Sequence, residues 1–470
     1  MENRRQPARV GVFAVGLAAY WPQFPGLREQ LEGYLGEVER RIKAFGAEVI
    51  RGGLVDTAQA ARQVGDEFAR RSVDLLICHT ATYATSSQVL PVVQQARAPV
   101  VVLNLQPVPA LDYERTDTAA WLANCSACCV PEISNAFVRS GVEFRVVSGT
   151  LFGDAAAWGE IEQWCRAAAA VRALRRSRIG FLGHTYPGML DLYADFTMVH
   201  GQLGAHVEVL EMCDLARRVA GAREAEILAK LAETQQVFQL EEGVAEEDLR
   251  WAAQVAVGLE QLIADFDLDG LAYYYRGLDD NEYERLAAGM ILGNSLLTAR
   301  GIPASGEGDL KNCLAMLLMD RLGAGGSYTE FYAMDFQENF ILMGHDGPGH
   351  IAISDRRPIL RSLGLYHGKR GRGVSVEFNV KTGPVTVLGL TQTAEGRFKF
   401  LAAEGESLPG PLLRIGNTNS RIRFALPPAA FLNRWCQEGP THHCALGLGH
   451  RMAEIEKVAS LLHVPLVQVA

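Results

Sequence analysis

Four side chains in the C-terminal half of the sequence are of the types that bind a divalent metal ion and transfer protons. Glu307 stands between two glycines, and Glu330 lies within an aromatic, β-prone segment. His345 and His443 come from two other polar segments further along the chain. Oxygen and nitrogen ligands without a thiolate suit Mn²⁺ or Mg²⁺ better than structural Zn²⁺. Together these residues predict a metal centre assembled from separate loops.

Each carboxylate also has a simpler structural interpretation. Glu307 could belong to a turn in which Asp309 caps the following helix. Glu330 could occupy an exposed strand position, whereas a buried carboxylate would need a partner such as a metal ion or a proton-transfer role. Lys311 could orient Glu307, but its place in a helix favours an exposed side chain.

Two pairs of histidines offer alternative ligands. A glycine-rich loop contains His345 and His350, which lack the i, i+4 spacing of a helical metal pair, so either one could donate a single ligand. His442 and His443 are adjacent, and neighbouring side chains on an extended strand point to opposite faces. We therefore expect at most one of His442 and His443 to face the site.

The elements that must hold these residues begin with an alternation of apolar strands and amphipathic helices. Strands are predicted at 10–15, 74–78 and 99–104, and a helix with apolar residues at helical spacing is predicted over 27–45. Continuous apolar strands that alternate with helices are typical of a parallel sheet covered on both faces.

The alternation of strands and helices restarts with strands at 178–183 and 270–275. From about Tyr328 this alternation gives way to a succession of strands. Strands at 374–380 and 385–390, separated by turn residues, indicate antiparallel structure. The predicted fold class is α/β, with two Rossmann-like doubly wound parallel-sheet domains followed by a C-terminal, mainly antiparallel β domain. The predicted boundaries are 1–175 for the N-terminal Rossmann-like domain, 176–327 for the central one, and 328–470 for the β-rich domain that completes the active site.

Composition and charge exclude several classes of protein. The net charge of −9 argues against the basic surface of a nucleic-acid-binding protein. No apolar stretch reaches the roughly 18 residues of a membrane span, and the run at 10–20 lacks a signal-peptide cleavage site. We expect a cytoplasmic protein with a small-molecule partner and with neither nucleic acid nor membrane as a partner.

The nine cysteines include one cluster, formed by Cys125, Cys128 and Cys129. The spacing Cys-x-x-Cys could be half of a zinc site or a redox pair. Because no second such pair exists to complete a zinc site, reduced thiols are favoured.

The order of these motifs resembles that of the L-arabinose isomerase family, within the wider L-fucose/L-arabinose isomerase superfamily. The resemblance rests on Gly-Glu-Gly-Asp-x-Lys at 306–311, then Thr-Glu ending at Glu330, Gly-His ending at His345, and the pair His442-His443. The stretch Gly-His-Thr-Tyr-Pro-Gly-Met at 183–189 is also similar to one in this superfamily. The resemblance covers nearly the whole chain in domain order.

The resemblance implies a metal-dependent aldose–ketose sugar isomerase, an intramolecular oxidoreductase of carbohydrate metabolism that acts on an L-arabinose-like or related sugar. It implies that Glu307, Glu330, His345 and His443 bind a divalent metal, with Mn²⁺ favoured and Mg²⁺ or Co²⁺ as alternatives. It also implies a homo-oligomer, a hexamer or trimer, with active sites shared between subunits.

The residues expected to bind the sugar depart from the family's pattern. Segment 18–23 (Ala-Ala-Tyr-Trp-Pro-Gln) replaces a Gln-His pair, and Ala81 replaces an aromatic residue, with Tyr83 close by. Cys128 falls where the family supplies a histidine to a neighbouring subunit, and Phe331 replaces an aspartate. The metal ligands are thus kept while the sugar-binding surroundings have changed. The predicted substrate-binding residues are Tyr20, Trp21, Gln23, Tyr83, His184 and His442.

Isomerisation of an aldose to a ketose moves one proton between C1 and C2 and another between their oxygens. Glu307 and Glu330, on opposite sides of the sugar, could serve as base and acid while a metal holds the oxygens of the developing cis-enediol. One alternative is a non-isomerase or altered-substrate member of the superfamily that acts on a modified sugar or sugar acid. A further alternative is a sugar-binding protein without turnover.

Overall fold

The computed structural model describes residues 7–276, 281–363 and 372–470. Within these ranges the chain forms two compact units, the first extending to Arg172 and the second running from Ala173 to Ala470. The division into three domains, at 175/176 and 327/328, stays a prediction. In the described part of the chain, no helix combines the length and apolar character that a membrane crossing requires.

The first unit contains a parallel sheet of five strands in the order β2-β1-β3-β4-β5. The strands are β1 (Arg9–Val15), β2 (Glu48–Val55), β3 (Leu75–Thr80), β4 (Val100–Gln106) and β5 (Phe144–Thr150). The helices are α1 (Leu27–Ala44), α2 (Ala58–Arg70), α3 (Leu90–Ala96), α4 (Thr118–Leu122), α5 (Ser126–Arg139) and α6 (Ala155–Arg175).

Local sequence explains these elements. Helix α1 buries Leu31, Leu35 and Val38 along one face, at the spacing that predicted a helix. Helix α2 begins where the Thr57 hydroxyl accepts a hydrogen bond from the Ala60 N–H. Strand β3 is buried along its whole length, because helices cover both faces of a parallel sheet.

The second unit begins with a parallel sheet of four strands in the order β10-β9-β6-β7. These strands, together with β8, which joins another sheet, are β6 (Arg178–Gly183), β7 (His206–Leu210), β8 (Gln239–Leu240), β9 (Gly270–Tyr274) and β10 (Ala304–Ser305). The helices of this part are α7 (Phe196–Met198), α8 (Met212–Ala220), α9 (Glu224–Val237), α10 (Glu246–Asp265), α11 (Glu282–Ala288), α12 (Met290–Ala299) and α13 (Leu310–Arg321).

The remainder of the second unit is mainly antiparallel. Its elements are β11 (Gly325–Asp335), β12 (Phe340–His345), β13 (Ile359–Ser362), β14 (Val374–Glu377), β15 (Gly383–Gln392), β16 (Phe398–Leu408), β17 (Thr418–Phe424), α14 (Pro428–Gln437), β18 (His443–Leu448), α15 (Met452–Leu462) and β19 (Leu466–Gln468). Six antiparallel strands close on themselves in the order β15-β18-β11-β12-β17-β16, because β15 pairs with β16 as well as with β18. Strand β19 joins β16 in parallel, and β14, β13 and β8 form a separate sheet.

The predicted fold class is confirmed by the two parallel sheets and the antiparallel, barrel-like sheet that follows them. The expectation that His345 lies in a glycine-rich loop is wrong, because strand β12 continues to His345. That strand is buried on nearly every residue, so it lacks the polar alternation by which a half-exposed strand can be recognised.

Candidate active site

Glu307 is held in a tight connection between strand β10 and helix α13. Its backbone is left-handed, with φ of 57°, and Gly308 follows with φ of 71°. A Cβ atom on Gly308 would lie 2.6 Å from the His184 carbonyl oxygen, so this position requires glycine. The first residue of the next turn, Asp309, caps α13 by accepting a hydrogen bond from the Asn312 N–H. Both the turn and the cap expected from the sequence are therefore present, and they fix the backbone of Glu307.

The register of three neighbouring strands brings the other three residues together. Glu330 in β11 pairs with His443 at the start of β18 and with Gly344 in β12, next to His345. Directly opposed residues of an antiparallel pair project to the same face of the sheet. Glu330 therefore lies beside the imidazole of His443. The imidazole of His345, the last residue of β12, also approaches it, with Glu330 Oε1 3.9 Å from His345 Nε2.

The ligand atoms of the four residues converge. His345 Nε2 lies 3.1 Å from His443 Nε2, and His443 Nε2 lies 3.5 Å from Glu307 Oε2. Two groups of three ligand atoms lie within 4.8 Å of one another, and both groups contain His443: one with Glu307 and His442, the other with Glu330 and His345. The predicted set Glu307, Glu330, His345 and His443 is thus brought together in space.

Carboxylates behind the two imidazoles determine which ring nitrogens face the site. His443 Nδ1 donates a hydrogen bond to Asp309 Oδ2 at 2.9 Å, and His345 Nδ1 lies 3.0 Å from Asp346 Oδ1. The Asp309 carboxylate keeps a proton on His443 Nδ1 and so leaves a lone pair on His443 Nε2. The Tyr328 hydroxyl, which is fully buried, lies 2.9 Å from His443 Nε2 and can donate to that lone pair.

This arrangement has the chemistry of a cation site. His345 Nε2 and His443 Nε2, 3.1 Å apart, lie within hydrogen-bond distance of each other, and each nitrogen can act as a metal ligand when it carries no proton. The buried Oε2 of Glu307 also finds no hydrogen-bond partner in the described ranges, although the Nε2 atoms of His442 and His443 stand 3.4 and 3.5 Å away. Two carboxylates and two neutral imidazoles form a donor set that fits a divalent metal ion.

Both adjacent histidines, His442 and His443, face the site. The expectation that at most one of them would do so is wrong. His442 Nε2 lies 3.4 Å from Glu307 Oε2, and the rings of His442 and His443 are 3.8 Å apart. The reason is that His442 precedes β18 and is bent inward by Asp191, which accepts hydrogen bonds from its backbone N–H at 3.0 Å and its Nδ1 at 2.7 Å.

The pKa values of the two glutamates are shifted in opposite directions. Burial raises the pKa of Glu307, but the imidazoles of His442, His443 and His345 outweigh burial and lower that pKa below its usual range. Burial raises the pKa of Glu330, and the attraction of His345 and His442 only partly offsets this. Carboxyl groups whose pKa values are pushed apart can divide the roles of proton acceptor and proton donor.

The imidazoles of His442 and His443 also differ. Burial lowers the pKa of His442, but Asp191 and Glu307 outweigh it and raise the pKa to about 10. Burial lowers the pKa of His443 to about 4, in spite of its hydrogen bond to Asp309. His443 is therefore the neutral imidazole that a metal requires, whereas His442 is a charged hydrogen-bond donor.

A cavity of about 400 Å³ adjoins the four residues and could hold a small molecule. Glu307, Glu330 and His442 form one part of its lining, and the rest includes Tyr186, Tyr275 and Arg276. Predicted substrate residue His184 lies behind this lining: its Nδ1 donates to the Thr185 carbonyl at 2.9 Å, and its ring packs on the rings of Tyr274 and Tyr275.

His350 and Lys311 lie apart from the converging ligands. His350 is buried with its Nε2 3.8 Å from Asp320 Oδ1, so of the two histidines it is His345 that reaches Glu330. The expectation of an exposed Lys311 is wrong: the side chain is 1% exposed, and its ammonium donates to the Tyr193 carbonyl at 2.8 Å. A lysine at a helix start can be buried when the chain before the helix folds over it.

The remaining predicted substrate residues lie in the first unit, after the carboxyl ends of β1 and β3. Trp21 Nε1 donates to Asp56 Oδ2 at 2.8 Å, and Gln23 Nε2 donates to the Ala19 carbonyl at 2.7 Å. The pKa of Tyr20 is raised, first by burial and then by the neighbouring thiols and Tyr83. Cys128 belongs to the same group and is exposed, while Cys125 and Cys129 are buried; all three are free thiols.

Four polar residues that hold the site were absent from the predicted site residues. They are the carboxylates behind the histidines and the tyrosine beneath them: Asp191, Asp309, Asp346 and Tyr328. Asp346 follows His345 directly, and Asp309 lies two residues after Glu307, so a search for acidic neighbours of candidate ligands could have found both. Asp191 is distant in sequence from His442 and carries no such signal.

Comparison with known proteins agrees with the geometry. Residues 325–465 match the family model described as the L-arabinose isomerase C-terminal domain. The chain is 26% identical to the sulfoquinovose isomerase of Alkalicoccus urumqiensis, over 68% of this chain and 71% of that protein. It is 24% identical to the L-arabinose isomerase of Clavibacter sepedonicus, over 83% of this chain and 79% of that protein.

A third relative is the L-arabinose isomerase of Acidothermus cellulolyticus, which is 25% identical over 79% of this chain and 75% of that protein. Among solved structures, a periplasmic solute-binding protein from Actinobacillus succinogenes with bound D-allose matches 64% of this chain and 77% of its own chain. Its identity is 13% and its TM-score is 0.18, which is too low to bear on fold or function.

Proposed function

We propose that the chain is a divergent member of the L-arabinose isomerase family and a metal-dependent sugar isomerase that interconverts an aldose and a ketose through a cis-enediol. The observation that carries this proposal is the convergence of Glu307, Glu330, His345 and His443 beside a cavity of about 400 Å³, which Glu307 and Glu330 line. The lining of the same cavity also includes tyrosines and an arginine, whose hydroxyl groups and guanidinium can bind a polar substrate.

Glu307, Glu330, His345 and His443 would hold the metal, for which Mn²⁺ is proposed with Mg²⁺ and Co²⁺ as alternatives. When bound, a divalent ion supplies positive charge that stabilises the negative charge developing on the sugar oxygens. Asp309 would keep the ring proton of His443 on Nδ1, so that Nε2 is free to bind the metal, and Asp346 lies 3.0 Å from His345 Nδ1.

The chain's own residues would move the protons. Glu307 and Glu330 both line the cavity, so a sugar bound between them has a carboxylate on either side. One carboxylate would remove the proton from the carbon beside the carbonyl group, and the other would exchange a proton with the oxygen. His442, anchored by Asp191, would donate a hydrogen bond from Nε2 to Glu307 or to a sugar hydroxyl.

The substrate is proposed to be an L-arabinose-like sugar or a modified sugar of similar size. Both classes appear among the relatives, which include L-arabinose isomerases and sulfoquinovose isomerases. A cytoplasmic homo-oligomer, as hexamer or trimer, is proposed from the same family resemblance. Tyr20, Trp21, Gln23 and Tyr83 are proposed as substrate-binding residues, together with His184 and His442.

Turnover tests this function. Metal-free protein supplied with Mn²⁺, Mg²⁺ or Co²⁺ is incubated with aldoses, ketoses and sugar acids, and products are followed by chromatography. We expect one aldose–ketose pair to be interconverted only when a metal is present. Glu307→Gln and Glu330→Gln should each lower kcat by about 10²–10⁴-fold, the contribution of a general acid or base, with an unchanged circular dichroism spectrum.

A matched control is Glu338→Gln, in the exposed turn between β11 and β12, which should keep full activity. Near-normal activity of either glutamate variant would refute the assigned roles. Metal-independent binding of a sugar that is never converted would instead support a sugar-binding protein.

A further inference from the structure

Arg276 is the one lysine or arginine among the residues described as lining the 400 Å³ cavity. It follows strand β9 (Gly270–Tyr274), at the carboxyl end where open α/β sheets bind their ligands. Its backbone N–H points to His184 Nε2 at a distance of 3.5 Å, and the His184 N–H in turn donates to the Tyr274 carbonyl at 3.0 Å. These contacts hold the backbone of Arg276 at the cavity wall.

The guanidinium of Arg276 has no charge partner in residues 7–276, 281–363 and 372–470, although the same cavity is rich in carboxylates. Glu284, Glu307, Glu330 and Asp346 all line it, yet none approaches within the 4.0 Å of an ion pair. Other arginines of this unit are paired, such as Arg250 with Glu224 and Arg300 with Glu233 and Glu260. An unpaired guanidinium at a cavity wall has five N–H donors available for a ligand.

Glu307, Glu330 and Arg276 line the same cavity, so one molecule bound there can meet both the carboxylates and the guanidinium. The carboxylates and imidazoles suit the carbonyl and hydroxyl oxygens of the reacting carbons. A guanidinium suits a planar or tetrahedral oxyanion, to which it can donate two parallel hydrogen bonds. A neutral pentose has no group that needs this charge.

We propose that Arg276 binds an anionic group on the substrate, so that the enzyme acts on an acidic sugar whose charged group lies remote from the reacting carbons. This inference rests on the proposed function and deepens it by naming the substrate class. The shared chemistry is an oxyanion, which a sulfonate, a carboxylate or a phosphate ester could supply. Tyr186 and Tyr275 line the same cavity and offer hydroxyl groups to the remainder of the sugar.

The test compares sugars that share a carbon skeleton and differ in charge at one end. Sulfoquinovose, D-glucuronate and D-glucose 6-phosphate are the three anionic probes, and D-glucose is the neutral probe. Binding to the Mn²⁺-loaded full-length protein is measured by calorimetry, and kcat/KM is measured for each sugar that is converted. At least one anionic probe should bind about 10- to 100-fold more tightly than D-glucose, as expected for hydrogen bonds to a charged group.

Arg276→Gln should remove that preference, lowering affinity for the preferred anionic probe about 10- to 100-fold while D-glucose binding stays within about twofold. Arg276→Lys should recover part of the loss, because an ammonium keeps the charge but not the paired donors. Arg223→Gln is the matched control, since this exposed arginine pairs with Glu226 on α9 and is not among the lining residues.

The inference is overturned if Arg276→Gln leaves the affinity and kcat/KM of every anionic probe within twofold of the wild type, or if no anionic probe is preferred to D-glucose. Failure of the proposed function has a different signature. If the proposed function fails, no sugar is converted with any metal. Calorimetry can still measure whether the binding of an anionic probe depends on Arg276, so the two failures are distinguishable.

Discussion

At the scale of single residues, Glu307 combines a structural and a chemical role. Its left-handed backbone is uncommon outside glycine and asparagine, and such strain concentrates at functional sites. The turn suggested by the flanking glycines and the cap suggested by Asp309 are both present, and they are what aims the carboxylate into the cavity. The structural and functional interpretations of this motif are therefore compatible.

His345 and His350 show how location decides the role of chemically identical side chains. Both are buried, but the Nε2 atom of His345 is 3.1 Å from His443, whereas the Nε2 atom of His350 faces Asp320 at 3.8 Å. His345→Gln should lower the affinity for Mn²⁺ by at least about 100-fold, more than the loss of a residue that only supports a ligand. Calorimetric titration of chelator-treated protein measures this change.

His350→Gln is the matched control and should keep Mn²⁺ affinity within about threefold of the wild type, a difference below 1 kcal/mol. If His350→Gln abolished metal binding and His345→Gln did not, the assignment of the ligand would be reversed.

At the scale of elements, the pairing of β11 with β12 and β18 assembles the site. Glu330 pairs with both His443 and Gly344, so a shift of one residue in either strand pair would turn a ligand to the opposite face. Gly344 is essential to this register, because a Cβ atom there would lie 1.7 Å from the Thr418 carbonyl oxygen of β17. Close approach of the two strands therefore depends on glycine at this position.

Gly344→Ala should lower the free energy of unfolding by about 1–3 kcal/mol, as for other overpacked positions, and should weaken metal binding by displacing His345. Urea unfolding and Mn²⁺ titration measure the two effects. Gly33→Ala is the control at an exposed position of helix α1, where a Cβ atom meets nothing within 4 Å, and it should raise stability by about 0.5–1 kcal/mol. Equal stability of Gly344→Ala and the wild type would show that β12 and β17 can separate without cost.

At the scale of the whole molecule, stability depends on histidines that are buried without charge. Burial lowers the pKa of His79, in β3 of the first unit, from 6.5 to about 4. The unfolded chain binds the proton more readily than the folded chain, so the stability from this residue is present above pH 6.5 and is lost as the pH falls towards 4.

His79 should therefore cost the protein about 2 kcal/mol of stability between pH 6.5 and pH 4.5. His79→Leu should remove this part of the pH dependence, whatever its effect on stability at neutral pH. Urea unfolding, followed by hydrogen exchange of peptides that span β3, measures the slope for both proteins. The same slope in both would mean that His79 takes up no proton in this range.

Much of the fold was predictable because it depends on short-range patterns, whereas the candidate donor set was predicted from single motifs whose order resembles that of one family. Continuous apolar runs such as Val100–Gln106 identify buried parallel strands, and Leu31 and Leu35 mark the buried face of α1. Strand β12 was missed because it is buried on nearly every residue and so lacks a polar–apolar alternation. The burial of Lys311 was missed because its hydrogen-bond partner, the Tyr193 carbonyl, is far away in the sequence.

The sequence by itself determined which residues could act: two carboxylates and a set of histidines, in an order resembling that of one isomerase family. Only the tertiary structure decided that His345 rather than His350 meets Glu330, that His442 and His443 both reach Glu307, and that Asp191, Asp309 and Asp346 stand behind the imidazoles. The physical reason is that ligand identity is a property of side-chain type, whereas ligand geometry depends on strand register and on contacts between residues far apart in the chain.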